Sequence, residues 1–112
     1  MRLAIPYDNG QVHDHLGSTE AFKFYEIDGN EVKSAAVVEA PAGGRDALFA
    51  FLADEKIDIL LGGGLCSTAV SLLGQMGVRA FGGAEGEVDS QLRAFMADEI
   101  EFKVGGPCGH DH

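Results

Sequence analysis

The feature that most constrains this chain is a pattern that occurs twice in its second half. A short apolar segment runs directly into glycines and then into a helix-forming segment. Residues 57–61 (IDILL) precede Gly62, Gly63 and Gly64, and residues 78–81 (VRAF) precede Gly82 and Gly83. Each apolar segment is too short for a helix and is typical of a buried strand. Strands that alternate with helices imply parallel crossovers, so the pattern predicts a sheet with helices packed on it.

The first half of the chain predicts three more strands. Residues 2–5 form a short strand that ends at Pro6, and residues 21–27 and 32–38 form a β-hairpin around Asp28-Gly29-Asn30. Apolar residues at helical spacing predict helices at residues 46–55, 69–76 and 88–96. The predicted order is therefore β-β-β-α-β-α-β-α. We expect an α/β fold with a single mixed five-stranded sheet, in which the hairpin adds antiparallel strands at one edge.

Composition and charge limit the possible functions. Hydrophobic residues make up 46% of the chain, which is typical of a packed core, and residues 1–104 are predicted to form one domain before a tail at 105–112. The 8 basic residues are scattered singly among 18 acidic ones, and the net charge of −10 disfavours binding to nucleic acid or to an anionic membrane. No segment resembles a signal peptide or a bilayer span, so we expect a cytoplasmic protein.

The glycines have a functional and a structural interpretation. Glycine accounts for 16 of 112 residues, about twice the usual share. Glycines at the carboxyl ends of parallel strands let a ligand approach the backbone, and the following helices offer N–H groups to an anion. Alternatively, they only make tight turns between strand and helix. Cys66 lies at a predicted helix start, where it is either a reactive thiolate or metal ligand, or a small buried residue.

All four histidines lie in two clusters that suggest metal binding. His13 and His15 follow the first predicted strand, whereas His110 and His112 join Cys108 in the tail at spacings of two residues. Such spacing puts the three tail side chains on one face of an extended segment. Thiolate and imidazole are suitable ligands for zinc, iron or a metal–sulfur centre. The alternative is that the loop and tail are polar segments with incidental metal affinity.

Several segments together resemble a known family. The resemblance begins at Arg2-Leu3-Ala4-Ile5-Pro6 and His15-Leu16-Gly17 and continues through residues 22–28, 57–64 and 77–83 to the Cys/His tail. In this order and spacing they resemble the dinitrogenase iron–molybdenum cofactor biosynthesis family, in particular its small stand-alone members. Two positions differ from the family pattern: Leu16 replaces a common phenylalanine, and Ser18 stands where a basic residue is frequent.

The resemblance implies a fold, a cargo and a ligand. It implies a ribonuclease H-like sheet with strand order 3-2-1-4-5, and binding or carrying of an iron–sulfur or iron–molybdenum cluster rather than catalysis. A divalent transition metal is the other candidate cargo, because the net charge of −10 opposes a polyanionic cluster and not a cation. The resemblance makes His15 the best single candidate ligand, with the glycines of both turns cradling the cluster and the tail closing over it. Its expected partner is a cofactor-assembly protein, and the chain itself is expected to be a monomer or a homodimer.

Other functions remain open at this point. One is an enzyme acting on a small phosphorylated compound, and another is an adaptor whose acidic third helix docks on a basic partner. A ribonuclease H-like sheet also suggests a two-metal nuclease. Asp8 follows the first strand, but Asp58 and Glu85 do not complete an evident carboxylate set, and the surface is not basic.

Overall fold

A mixed sheet forms the centre of the computed structural model, which describes residues 1–13, 18–65 and 67–97. Its strands are β1 (Arg2–Asp8), β2 (Gln11–Val12), β3 (Ala21–Asp28), β4 (Glu31–Glu39), β5 (Ile59–Leu61) and β6 (Arg79–Phe81). Five of them lie in the order β4-β3-β1-β5-β6, and β2 pairs with β1 off this path. β1, β5 and β6 are parallel, whereas β3 and β4 join as an antiparallel hairpin.

The sheet has six strands rather than the predicted five, because the chain turns back at Asn9 and Gly10 to form β2. Tyr7 and Asp8 pair with Val12 and Gln11 in this short hairpin. If β2 is left out and the other five strands are numbered in chain order, the sheet order is 3-2-1-4-5, as the resemblance implied. The ribonuclease H-like relationship itself stays a prediction.

Pro6 does not end the first strand, contrary to the prediction. Its carbonyl oxygen accepts a hydrogen bond from the backbone N–H of His13 at 3.0 Å, so Pro6 directs its backbone polar groups away from β3. The donor that proline lacks is therefore not needed in the β1–β3 ladder, where Pro6 lies opposite Phe22. β1 consequently continues to Asp8, and its last residues lie at the edge of the sheet where the parallel strands end.

Three helices cover the two faces of the sheet. They are α1 (Gly44–Asp54), α2 (Ser67–Gln75) and α3 (Val88–Ala97), close to their predicted positions. α1 and α2 pack on one face through a core that includes Phe22, Leu52 and Leu73. α3 packs on the other face, where Leu92 joins a core on Ile5 and other residues of β1 and β5. None of the helices described is long and apolar enough to cross a membrane. The predicted tail lies outside the described residues.

Candidate functional site

The carboxyl ends of β1, β5 and β6 meet at one edge of the sheet because these strands are parallel. Asp8 ends β1, Gly62 follows β5, and Gly82 follows β6. Helices α2 and α3 begin shortly after the same edge. This is the position at which open α/β sheets bind ligands. It contains two different structures, the glycine turns (residues 62–64 and 82–83) on one side and the loop after β1 on the other.

The glycine turns bind each other through their backbones. The N–H of Gly62 donates to the carbonyl oxygen of Phe81 at 2.8 Å, and the N–H of Gly83 donates to that of Gly63 at 2.9 Å. The carbonyl oxygen of Gly62 accepts a further bond from the N–H of Ala84 at 3.0 Å. These hydrogen bonds continue the pairing of β5 with β6 beyond the ends of the strands.

Two of the glycines lie in tight packing. A Cβ on Gly62 would lie 3.0 Å from Cγ of the buried Leu65, and a Cβ on Gly82 would lie 3.3 Å from the carbonyl oxygen of Gly63. The structural interpretation of the turns therefore accounts for Gly62 and Gly82, and it also accounts for the N–H of Gly83, which is already bonded. That Gly62, Gly63, Gly64, Gly82 and Gly83 contact a ligand stays a prediction.

The loop after β1 forms a cavity lined by chemically active side chains. This histidine cavity has a volume of about 330 Å³ and is lined by Tyr7, Asp8, His13, Ser18 and Glu20. His13 is half-buried, and its Nε2 lies 2.9 Å from the hydroxyl oxygen of Ser18. The backbone bond from His13 to Pro6 fixes the start of the loop on β1. One imidazole, two carboxylates and two hydroxyls thus face a common space.

Two more cavities adjoin the histidine cavity. One, of about 410 Å³, shares Ser18 and Glu20 with it and extends past Glu39 to the start of α1. The other, of about 240 Å³, shares Tyr7 and is bordered by Lys23 and Asp89. The acidic residues along this side outnumber the basic ones. The local field therefore favours a cation over an anion.

Asp89 joins the start of α3 to β3 through two hydrogen bonds. Its Oδ1 accepts one from Lys23 Nζ at 2.8 Å and one from the Tyr25 hydroxyl at 2.6 Å. The hydrogen bond from Lys23, and then that from Tyr25, lower the pKa of Asp89 below its usual value. Burial, with the hydrogen bond to the Asp89 carboxylate, raises the pKa of Tyr25 far above its usual range. Tyr25 is therefore a neutral donor and Asp89 an anionic acceptor near neutral pH.

The sequence did not predict the hydrogen bonds that join Asp89 to Lys23 and Tyr25. The alternation over residues 21–27 does place Lys23 and Tyr25 on one side of a strand. Nothing local connects them to Asp89, which lies 66 and 64 residues farther along the chain. Acidic residues are common in the first turn of a helix because they interact favourably with the helix dipole. Asp89 therefore gives no distinctive signal of its own.

The structure places only one of the predicted metal ligands. His13 lies in the histidine cavity, together with Asp8 and Glu20, which were not predicted as ligands. The remaining predicted ligands lie outside the described residues: His15, Cys66, Cys108, His110 and His112. Within residues 1–13, 18–65 and 67–97, no three His, Cys, Asp or Glu side chains form a ready metal-binding group. The histidine cavity offers one imidazole and two carboxylates, and metal binding by them stays a prediction.

The chain is similar to one protein family and to several solved structures. The family model described as "Dinitrogenase iron-molybdenum cofactor" matches residues 1–98. An uncharacterised protein of Methanocaldococcus jannaschii is 23% identical in an alignment of 106 residues that covers 90% of each chain. The crystal structure of PH0822 superposes with a TM-score of 0.83 at 28% identity, covering 91% of this chain and 94% of the other.

A structural neighbour of lower identity supports the fold alone. The apo form of the orange protein from Desulfovibrio gigas superposes with a TM-score of 0.77 at 19% identity, covering 93% of each chain. The agreement extends over nearly the whole sheet and its helices. The mixed sheet with its hairpin is thus an architecture that this chain shares with both solved structures.

Proposed function

The chain belongs to the dinitrogenase iron-molybdenum cofactor family, and from this premise we propose that it binds or carries metal cargo during cofactor assembly. The cargo would be an iron–sulfur or iron–molybdenum type cluster, or the metal ions from which such a cluster is built. The observation that carries the proposal is the family match over residues 1–98. The histidine cavity at the carboxyl edge of the sheet supports it.

The donor set of the histidine cavity favours a metal ion as the first species bound. Imidazole and carboxylate suit iron and other divalent transition metals. Asp8 and Glu20 add negative charge to a chain whose net charge is already −10. A polyanionic cluster would be repelled there, whereas a ferrous ion would be attracted. Binding of a cluster would need thiolates, and Cys66 and Cys108 are the only cysteines in the sequence.

We propose carriage rather than catalysis as the role of this site. A carrier needs ligands that release metal to another protein, and a partly exposed cavity with few ligands is suited to exchange. The expected receiver is a cofactor-assembly protein. A reducing compartment such as the cytoplasm would keep both cysteines available as thiols.

Anaerobic reconstitution with ferrous iron, sulfide and molybdate tests the proposal. Bound metal is measured by elemental analysis and cluster formation by visible absorption. We expect the wild-type chain to bind iron, and His13→Ala to lower its affinity for ferrous iron at least about tenfold, since a lost outer-shell partner alone costs about 10- to 100-fold. His15→Ala and a chain ending at Gly106 test the predicted ligands outside the described residues.

A matched pair of acid substitutions separates a site from general attraction. Asp8→Asn removes a carboxylate from the histidine cavity, and Asp28→Asn removes one from the exposed β3–β4 turn at the opposite end of the sheet. Both change the net charge by one unit. We expect only Asp8→Asn to weaken iron binding. A wild-type chain that takes up no metal under any of these conditions would refute the proposal.

A further inference from the structure

The β1–β2 hairpin carries the imidazole and one of the two carboxylates of the histidine cavity. Asp8 is the last residue of β1, and His13 directly follows β2. β2 has only 2 residues, and it is joined to β1 by a tight turn at Asn9 and Gly10. A short two-stranded hairpin is only marginally stable by itself. The position of His13 relative to Asp8 therefore depends on what holds β2.

A segment far along the chain holds β2 on the side opposite β1. Residues 86–88, which we call the α3 entry segment, lead from the second glycine turn into α3. The N–H of Val12 donates to the carbonyl oxygen of Gly86 at 2.8 Å. In the other direction, the N–H of Val88 donates to the carbonyl oxygen of Gly10 at 3.1 Å. β2 is thus the middle strand between β1 and the α3 entry segment.

The contact between β2 and the α3 entry segment is small. Gln11 lies opposite Glu87 in an antiparallel bridge between the two hydrogen bonds. Val12 and Val88, one from each side of the contact, are buried in the same core. A cavity of about 240 Å³ lies beside them, between the turn of the hairpin and the start of α3. Because the hairpin and α3 are not closely packed there, the two backbone hydrogen bonds are a main part of what joins them.

Asp89 fixes the α3 entry segment to the sheet. It directly follows the segment, and its Oδ1 accepts hydrogen bonds from Lys23 and Tyr25 of β3. β3 in turn pairs with β1. These contacts form a closed ring that runs from β1 through β2, the α3 entry segment and β3 back to β1. The support on the far side of β2 is therefore attached to the same sheet as β1.

We propose that the α3 entry segment positions the histidine cavity, because it holds β2 and thereby keeps His13 next to Asp8. For its consequence in metal binding, this inference rests on the proposed function. Metal binding at His13 and docking of the α3 entry segment on β2 both require the same hairpin conformation. Two such events must stabilise each other by equal amounts. The α3 entry segment acts as a positioning element in this arrangement and not as a ligand.

Val88→Pro removes one hydrogen bond of the contact and leaves α3 intact. The N–H of Gln91 donates to the carbonyl oxygen of Glu87 at 3.1 Å, so Val88 is the first residue inside the helix. Proline is tolerated at that position, where an N–H has no partner within the helix. Gly10 is partly exposed, so water can reach the carbonyl oxygen that loses its donor. Val88→Ala is the matched control, since it keeps the N–H and loses methyl groups from the same core.

Hydrogen exchange of the apoprotein, followed by mass spectrometry, tests the positioning without metal. The peptide that contains Val12 and His13 should exchange about 2- to 10-fold faster in Val88→Pro than in Val88→Ala, which is what one hydrogen bond is usually worth. The peptide that contains Gly62 is the internal reference, because the substitutions do not touch its hydrogen bond to Phe81. Equal exchange of the hairpin peptide in the two folded variants overturns the proposal.

Ferrous iron under anaerobic conditions tests the link to metal binding. At a free iron concentration ten times the dissociation constant, the wild-type peptide that contains Val88 should exchange about tenfold more slowly, because a ligand that binds only the closed hairpin stabilises it by that factor. His13→Ala at the same iron concentration should show no slowing. Iron that binds the wild type and leaves this peptide unchanged overturns the inference but not the proposed function. A wild type that binds no iron refutes the proposed function, and the apoprotein comparison then still decides whether the α3 entry segment holds the hairpin.

Discussion

The two sides of the carboxyl edge are held together by different groups. On the side of β5 and β6, backbone hydrogen bonds join the glycine turns, and a Cβ on Gly62 would lie only 3.0 Å from Leu65 Cγ. On the side of β1 and β3, the contacts are made by side chains, including His13 with Ser18 and Asp89 with Tyr25. The glycine side is therefore fixed by shape, whereas the other side carries the titratable groups.

A ligand can bind only where the protein offers suitable groups to it. The N–H groups of Gly62 and Gly83 already donate hydrogen bonds within the turns, so these two groups have no capacity left for a ligand. The loop after β1 carries imidazole and carboxylate groups, which are the groups that ligate divalent transition metals in proteins. Gly62 and Gly82 thus belong to the framework of the edge, and the loop after β1 is the proposed source of the metal ligands.

The largest effect is expected from filling the space at Gly62. Gly62→Val places a Cβ about as close as 3.0 Å to Leu65 Cγ and adds two further carbons in the same buried space. We expect overpacking to lower the free energy of unfolding by about 1–3 kcal/mol. Urea denaturation followed by circular dichroism measures it.

Gly74→Val is the matched control for this prediction. A Cβ on Gly74 meets nothing within 4 Å, so the same added carbons should be tolerated there. In the folded fraction, Gly62→Val should leave iron affinity unchanged if the turns are only framework. Equal stabilities of the two variants would contradict the packing argument. A lower iron affinity of fully folded Gly62→Val would mean that the glycine turns contribute to the ligand site.

The next largest loss of stability is expected from removing Asp89, whose side-chain contacts join α3 to β3. Asp89→Ala removes the acceptor of both Lys23 and Tyr25 and leaves the hydroxyl of Tyr25, a residue only 2% exposed, without its carboxylate. We expect a loss of about 1–2 kcal/mol in the free energy of unfolding. Thermal denaturation monitors the loss. A variant as stable as the wild type would show that water replaces Asp89 at no cost.

The sequence predicts the framework better than the site, for a physical reason. The strand–glycine–helix units and all three helices follow from the spacing of apolar residues, which is local information. β2 has only 2 residues and is defined by its pairing with Tyr7 and Asp8, so periodicity cannot detect it. Pro6 lies inside β1 because of the side to which its backbone faces, and this depends on the neighbouring strands.

The candidate site shows the same limit. His13 was predicted from residue type alone, and the structure adds Asp8 and Glu20 because the β1–β2 hairpin and the start of β3 converge there. Which glycine N–H groups are already bonded depends on the contact between two turns about twenty residues apart. Hydrogen-bond partners so distant in sequence leave no trace in local composition.

A smaller effect, of opposite sign, is expected at Gly74. This glycine lies in α2, and a Cβ there would be in open space. Alanine loses less conformational entropy on folding than glycine, so Gly74→Ala should raise the free energy of unfolding by about 0.5–1 kcal/mol. The midpoint of urea denaturation should rise while its slope stays constant. A fall in the midpoint would mean that Gly74 serves a contact beyond the described residues.

The smallest effect is expected in the pH dependence of the stability that the Asp89 carboxylate contributes. The folded-state pKa of Asp89 is lowered, so in acid the unfolded chain binds this proton before the folded one does. The stability that Asp89 contributes is therefore fully present above its usual pKa of 3.8 and is lost as the pH falls through the lower folded value. Asp89→Asn should be less stable than the wild type at pH 7, and the difference should shrink towards pH 3. Nearly half of the Asp89 side chain is exposed, so this difference should be smaller than the effect of removing the acceptor.

The stability deficit of Gly62→Val should not change between pH 7 and pH 3, because a steric contact does not involve a titratable group. A deficit of Asp89→Asn that is constant with pH would mean that the carboxylate acts through its shape and hydrogen-bond acceptors rather than its charge.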